Sequence, residues 1–239
     1  MADLEVQNVV FACPGNSPDS YAAGARPVAE FYAGLLGMRI VREDWFLVAG
    51  DRRPMLGFGD GPIDYQPPRW PDPAYPQQMH LDIAVPELVS AGERAVGLGA
   101  ELLDDRRDWH VYADPIGHPF CFYEETTDRA RIVRIVIDCP EPRELAAFYS
   151  ALLDLPEREL DTPDRVVLAG TPRLAFQRSD APAPRWPDPA YPQQVHLDLF
   201  TDDVEDARTH AVSVGAEALQ TDGPHHHVYA DPAGHPFCI

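Results

Sequence analysis

The sequence predicts an α+β protein built from one unit written twice. Three observations carry that prediction. The segment RWPDPAYPQQMHLD, Arg69 to Asp82, returns as RWPDPAYPQQVHLD, Arg185 to Asp198, with only Met79 changed to Val195. A second block, HVYADPIGHPFC at His110 to Cys121, returns as HVYADPAGHPFC at His227 to Cys238. Within each copy the hydrophobic pattern switches between the two-residue period of strands and the 3.6-residue period of helices, in one fixed order.

The order runs as follows. VQNVVFAC and IVRIVIDC are apolar and β-branched, and predict opening strands. RPVAEFYAGLLG and EPRELAAFYSALLD place Val28, Phe31, Tyr32 and Leu35, and Leu145, Phe148, Tyr149 and Leu152, on one helical face. Gly37 is a helix stop, because glycine accepts the left-handed conformation. Short strands follow around DWFLVAG and PMLGFG, and around DRVVLAG and PRLAFQR. After the proline-rich block, HLDIAV and HLDLFT predict a new strand, then PELVSAGERAVGLG and DVEDARTHAVSVG a second helix. Each copy closes on a hairpin, where Asp114-Pro115-Ile116-Gly117 has the residue order of a type I turn. Each unit is thus βαβββ twice, and the chain holds four such modules. The expected domains are 1–125 and 129–239, joined by the charged stretch EETTDRA. The first copy carries an insertion, GNSPDSYAAGA, before its first helix.

Composition excludes some partners. A net charge of −20, from 39 acids against 19 Lys and Arg, disfavours nucleic acid and anionic membrane, and serves solubility. No apolar run is long enough to span a bilayer, and the N-terminus has no basic-then-apolar signal. The four cysteines lie far apart and read as free thiols in a reducing, cytoplasmic setting.

The two blocks WPDP…PQQxHLD and YADPxGHPFC, in this module order, resemble the glyoxalase-like branch of the vicinal oxygen chelate superfamily. That superfamily includes glyoxalases, bleomycin- and fosfomycin-resistance proteins and extradiol dioxygenases. The resemblance covers the whole chain in two copies. It implies paired modules whose curved sheets enclose a pocket, a proline-rich crossing over the pocket mouth, and a small-molecule ligand. It also implies that a single chain forms internally the pair that one-unit relatives form from two chains, and hence a monomer.

Metal-dependent members of the superfamily draw ligands from four strand positions. Carried onto this chain, these are Asn8, Gly57, His80 and Cys121 in the first unit, and Arg134, Ala175, His196 and Cys238 in the second. Only the histidine survives in each set. Gly57 and Ala175 offer no donor, and Arg134 brings a fixed positive charge. No metal or other cofactor is therefore expected. The weaker alternative is a zinc set of His80, Asp82 and Cys121, or of His196, Asp198 and Cys238, since residues two apart share a strand face. Without metal, His80 with Asp82, and His196 with Asp198, are candidates for acid–base catalysis, and Cys121 and Cys238 are either thiols activated by histidine or small buried apolar residues. Trp70, Tyr75, Trp186 and Tyr191 are candidate ligand walls, with plugging of the sheet end as the alternative. Asn8 and Arg134 join Cys121 and Cys238 as ligand-contact candidates. His118 and His235 read as turn supports, and His225 and His226 as surface loop. The favoured function is small-molecule binding, either sequestering a ligand or running metal-independent acid–base chemistry. The alternative is a metal-dependent lyase, isomerase or dioxygenase.

Overall fold

The structure, a computed structural model, describes residues 3–14, 21–60, 65–188, 190–222 and 227–239. His225 and His226 lie outside them. The first unit comprises β1 (Glu5–Cys13), α1 (Tyr21–Leu36), β2 (Arg39–Arg42), β3 (Phe46–Ala49), β4 (Met55–Asp60), β5 (Met79–Val85), α2 (Leu88–Gly97), β6 (Glu101–Asp105), β7 (Trp109–Ala113) and β8 (Pro119–Glu124). The second comprises β9 (Arg131–Cys139), α3 (Pro142–Leu152), β10 (Arg158–Asp161), β11 (Arg165–Leu168), β12 (Arg173–Arg178), β13 (Val195–Phe200), α4 (Val204–Ser213), β14 (Glu217–Gln220), β15 (Val228–Ala230) and β16 (Pro236–Cys238). This is the α+β fold of four βαβββ modules.

The helices form where their apolar stripes can be buried. Val28, Phe31, Tyr32 and Leu35 of α1, and Leu145, Phe148, Tyr149 and Leu152 of α3, are all buried. α1 begins at Tyr21, inside the insertion and five residues before the expected start, with Pro27 in its second turn. Pro27 has no N–H, so it removes one backbone bond near the start of the helix. Gly37 at φ 64 and its counterpart Asp154 at φ 50 end the first helix of each unit in the left-handed region. Glu87 caps α2 by accepting from the amides of Val89 and Ser90 at 2.8 and 2.7 Å. Among the described residues no helix is long and apolar enough to cross a membrane.

The modules pair across the two units. One eight-stranded sheet runs β14-β15-β16-β13-β1-β4-β3-β2, joining the first module to the fourth. The other runs β10-β11-β12-β9-β5-β8-β7-β6, joining the third to the second. The central seams, β1 with β13 and β5 with β9, are antiparallel. Each curved sheet is therefore half of each unit. The helix-side faces of both sheets share one core, which contains Phe11, Tyr32, Phe58, Tyr112, Phe120, Tyr149, Phe176 and Phe237.

The two repeated blocks hold this arrangement together. Gln78 and Gln194 clasp one another about the internal pseudo-twofold. The amide of Gln194 donates to Gln78 Oε1 at 2.8 Å, and that of Gln78 to Gln194 Oε1 at 3.1 Å. Their side-chain amides donate to the carbonyls of Pro192 and Pro76, both at 2.8 Å. The hairpin turn packs on the proline-rich crossing. A Cβ on Gly117 would lie 3.0 Å from Pro67 Cβ, and one on Gly234 3.1 Å from Pro184 O, and both glycines have positive φ. His118 and His235 are buried inside these turns beside Asp114 and Asp231. Each aspartate also accepts the histidine amide at 3.0 Å and a tyrosine hydroxyl from the opposing helix, Tyr32 at 3.3 Å and Tyr149 at 3.0 Å.

Candidate functional site

Strand register assembles two equivalent sites on the faces turned away from the helices. In one sheet Arg134, Asp82 and Cys121 stand side by side on β9, β5 and β8, with His80 two residues along β5. In the other sheet the row is Asn8, Asp198 and Cys238 on β1, β13 and β16, with His196 two residues along β13. In each site the His, Asp and Cys donor atoms lie within 4.8 Å of one another. The face-sharing argument from the sequence thus converges. The grouping by unit does not. Asn8 and Gly57 belong with His196 and Cys238, and Arg134 and Ala175 belong with His80 and Cys121, because the sheets are shared between units.

The first site is buried and strongly charged. Asp82 is fully buried, and its Oδ2 accepts from Arg134 Nε at 2.7 Å and from Arg165 Nη2 at 3.2 Å. Asp82 Oδ1 has His80 Nε2 at 3.4 Å, an ion-pair approach that does not complete a hydrogen bond. Burial disfavours the charged imidazole of His80, but the adjoining Asp82 and Cys121 outweigh it and hold its pKa up, to about 10. Burial likewise works against the Asp82 carboxylate, yet His80 and Arg134 hold its pKa below the ordinary value. Gln77 Nε2 lies 3.2 Å from His80 Nδ1 and donates to Asp138 Oδ2 at 3.0 Å. Burial pushes the Asp138 carboxyl up, and its Oδ1 is buried with no hydrogen-bond partner among the described residues. Arg134 also lies over the Tyr123 ring at 4.7 Å, and Trp109 stacks on Tyr123.

The second site is more open and less charged. Asn8 replaces Arg134, and its Nδ2 donates to Asp198 Oδ2 at 2.8 Å. His196 Nε2 lies 3.3 Å from Asp198 Oδ1, with the side chains 15% and 24% exposed. Burial again disfavours the imidazolium, while Asp198 and Cys238 raise the His196 pKa to about 10. Ala12 occupies the place of Asp138, and Trp45 that of Arg165. The Trp45 ring lies over Gly57, where an added Cβ would meet it at 2.5 Å. The position that offers no donor thus makes room for an aromatic wall.

Tyr75 lies beneath the Arg69 guanidinium at 4.0 Å, and Tyr191 beneath Arg185 at 3.5 Å. Both tyrosines brace their own loops, whose ends are tied by the amides of Arg69 and Arg185 bonding to the carbonyls of Tyr75 and Tyr191. Trp70 and Trp186 are half-buried and precede cis prolines. Trp186 lines a shallow concavity with Leu219 to Asp222, beside β14, which is separated from His196 on β13 by β15 and β16. A concavity of about 780 Å³ includes none of the triad residues in its lining. It is lined by the inter-unit linker and by Arg53 and Arg129, which are already paired with Glu5 and Asp51.

Three site residues escaped the sequence reading: Trp45, Asp138 and Arg165. Asp138 had a signal, since it faces Ala12 when the opening strands are aligned. Trp45 and Arg165 also face one another when DWFLVAG is aligned with DRVVLAG, but that alignment does not say what either side chain meets.

The profile of the glyoxalase-like domain matches residues 18–123 and 134–239. The chain belongs to the glyoxalase-like family. Its fold is similar to that of glyoxalase I from Zea mays, at a TM-score of 0.66 and 14% identity over 98% of this chain and 91% of that chain. A point mutant of that maize enzyme matches at 0.66 and 14% over 99% and 93%, and a dioxygenase candidate from Bacillus subtilis at 0.62 and 14% over 98% and 84%. No curated protein sequence matches the chain. At these identities the likeness is one of fold. Within this glyoxalase-like chain, each triad offers the nitrogen, oxygen and sulfur donors that suit zinc. The expectation of no cofactor therefore needs correcting at the level of donors: groups able to hold a divalent metal are present in both sites. Their fit differs. Beside Asp198 the donor from β1 is the neutral Asn8 in place of an arginine. Around Asp82 two guanidiniums already occupy one carboxylate oxygen, and a divalent ion would stand against their fixed charge.

Proposed function

We infer that this glyoxalase-like chain binds a small molecule in the His80–Asp82–Cys121 pocket, and that this pocket works without a metal. One observation carries the reading: Arg134 and Arg165 both hold Asp82 Oδ2, at 2.7 and 3.2 Å, supplying the positive charge that a metal ion supplies elsewhere in the superfamily. His80, whose pKa Asp82 and Cys121 raise, is the group placed to donate a proton to a bound ligand. Asp82 orients it, and Arg134 and Arg165 stabilise negative charge that develops nearby.

A second reading applies to the other pocket. The neutral Asn8 beside Asp198 favours zinc held by His196, Asp198 and Cys238, where it would act as a Lewis acid when bound. Metal analysis after loading with zinc and desalting separates the two. The expected result is one zinc per chain, retained in His80→Ala and lost in His196→Ala. Zinc lost on His80→Ala would overturn the metal-free reading of the first pocket.

A further inference from the structure

The two pockets descend from one repeat, yet three substitutions set the first apart. Arg134 stands where the second has Asn8, Arg165 where it has Trp45, and Asp138 where it has Ala12. All three lie on one face. Arg165 is paired with Gln177 across β11 and β12, and Gln177 with Asp138 across β12 and β9. Arg134 follows on the same face of β9, four residues before Asp138.

These residues leave unfilled valence of two kinds. Arg134 and Arg165 each use one N–H on Asp82, and their side chains remain 22% and 27% exposed while Asp82 is fully covered. A guanidinium carries five N–H donors in a planar fork, so each retains an edge suited to a second carboxylate. Two fixed positive charges share one buried carboxylate, in a chain whose net charge is −20. The second kind is an acceptor. Asp138 Oδ2 is served by Gln77, but its Oδ1 is buried with no hydrogen-bond partner among the described residues. A buried acceptor left unserved is costly, and a ligand donor would relieve it.

We propose that the first pocket takes a small organic acid that also carries a hydroxyl or similar hydrogen-bond donor. The carboxylate lies on the outward edges of Arg134 and Arg165, and the donor lies on Asp138 Oδ1. The assignment rests on the metal-free reading of this pocket and adds the ligand class. It separates the roles of the residues: Arg165 is an affinity residue for any carboxylate, and Asp138 is a specificity residue for the donor.

The test uses malate and succinate, which differ by one hydroxyl, titrated calorimetrically into the full chain in the presence of EDTA. Malate is expected to saturate one site per chain and to bind roughly tenfold tighter than succinate. Arg165→Gln should weaken both acids by about tenfold or more, since charge-assisted contacts are the strong ones. It should still fold, because Asp82 keeps Arg134 and His80; Arg165→Lys, which retains the charge, should lose less. Asp138→Leu should erase the preference for malate and leave succinate binding dependent on Arg165. Absence of saturable binding by either acid, or binding indifferent to Arg165→Gln, would overturn the proposal. A malate preference that survives Asp138→Leu would remove Asp138 from it, leaving a water as the partner of Oδ1. Binding abolished by EDTA and restored by zinc would instead overturn the metal-free reading itself.

Discussion

Replacing Gln78 by alanine tests whether the clasp about the pseudo-twofold joins the two units. The side chain accepts from the Gln194 amide at 2.8 Å and donates to the Pro192 carbonyl at 2.8 Å. Truncation leaves both backbone groups without a partner. An orphaned buried group costs about 1–3 kcal/mol. Gln194 is buried and Pro192 half-buried, so water reaches the carbonyl more readily than the amide. The expected loss is therefore about 2–4 kcal/mol, read as a lower guanidinium chloride midpoint at unchanged slope. In a chain of 239 residues this corresponds to a fall in Tm of roughly 5–15 °C. Gln194→Ala should behave alike, since it accepts from the Gln78 amide at 3.1 Å and donates to Pro76 at 2.8 Å. Gln78→Glu keeps the acceptor but turns a carboxylate oxygen toward the Pro192 carbonyl, and should be at least as damaging as alanine. A loss below about 0.5 kcal/mol for both alanine variants would show that the reciprocal bonds are exchanged for water at no cost, and the account of why PQQ is repeated would fail.

Stability should also depend on pH on the alkaline side. His80 and His196 are raised in the folded state to about 10, so their contribution is complete below the unfolded value near 6.5 and is lost as pH climbs toward 10. Denaturant titrations across that range should show a decline that His80→Asn reduces, and a flat wild-type profile would contradict it. Gly57→Ala would set a Cβ 2.5 Å from the Trp45 ring and 3.1 Å from Val10. Displacing the ring should cost about 1–3 kcal/mol and shift the tryptophan emission; an unchanged spectrum would place Trp45 elsewhere. Residues 1–125 expressed alone would expose the β1 and β5 edges that β13 and β9 cover in the full chain. Light scattering should find that fragment dimeric and the whole chain monomeric, and a folded monomeric fragment would refute the shared-sheet argument.

The duplication, the module order and the buried helix faces were legible in the sequence. Each depends on local periodicity or on letters that repeat, as with Phe31 and Tyr32 against Phe148 and Tyr149. So was the convergence of His80, Asp82 and Cys121, because residues two apart on a strand share a face and the last strand lies beside the fifth. Which modules share a sheet was not legible. Two near-identical units present near-identical edges, so β1 could pair within its own unit or with the other one; tertiary packing chose β13. That choice put Arg134 against Asp82 and Asn8 against Asp198, and made two sites of different charge from one repeat. Aligning the two copies sets Asp138 against Ala12 and Arg165 against Trp45, but it does not reveal that these residues belong to the sites. Their importance lies in what stands opposite them across a strand seam, a distance in space that no spacing along the chain encodes.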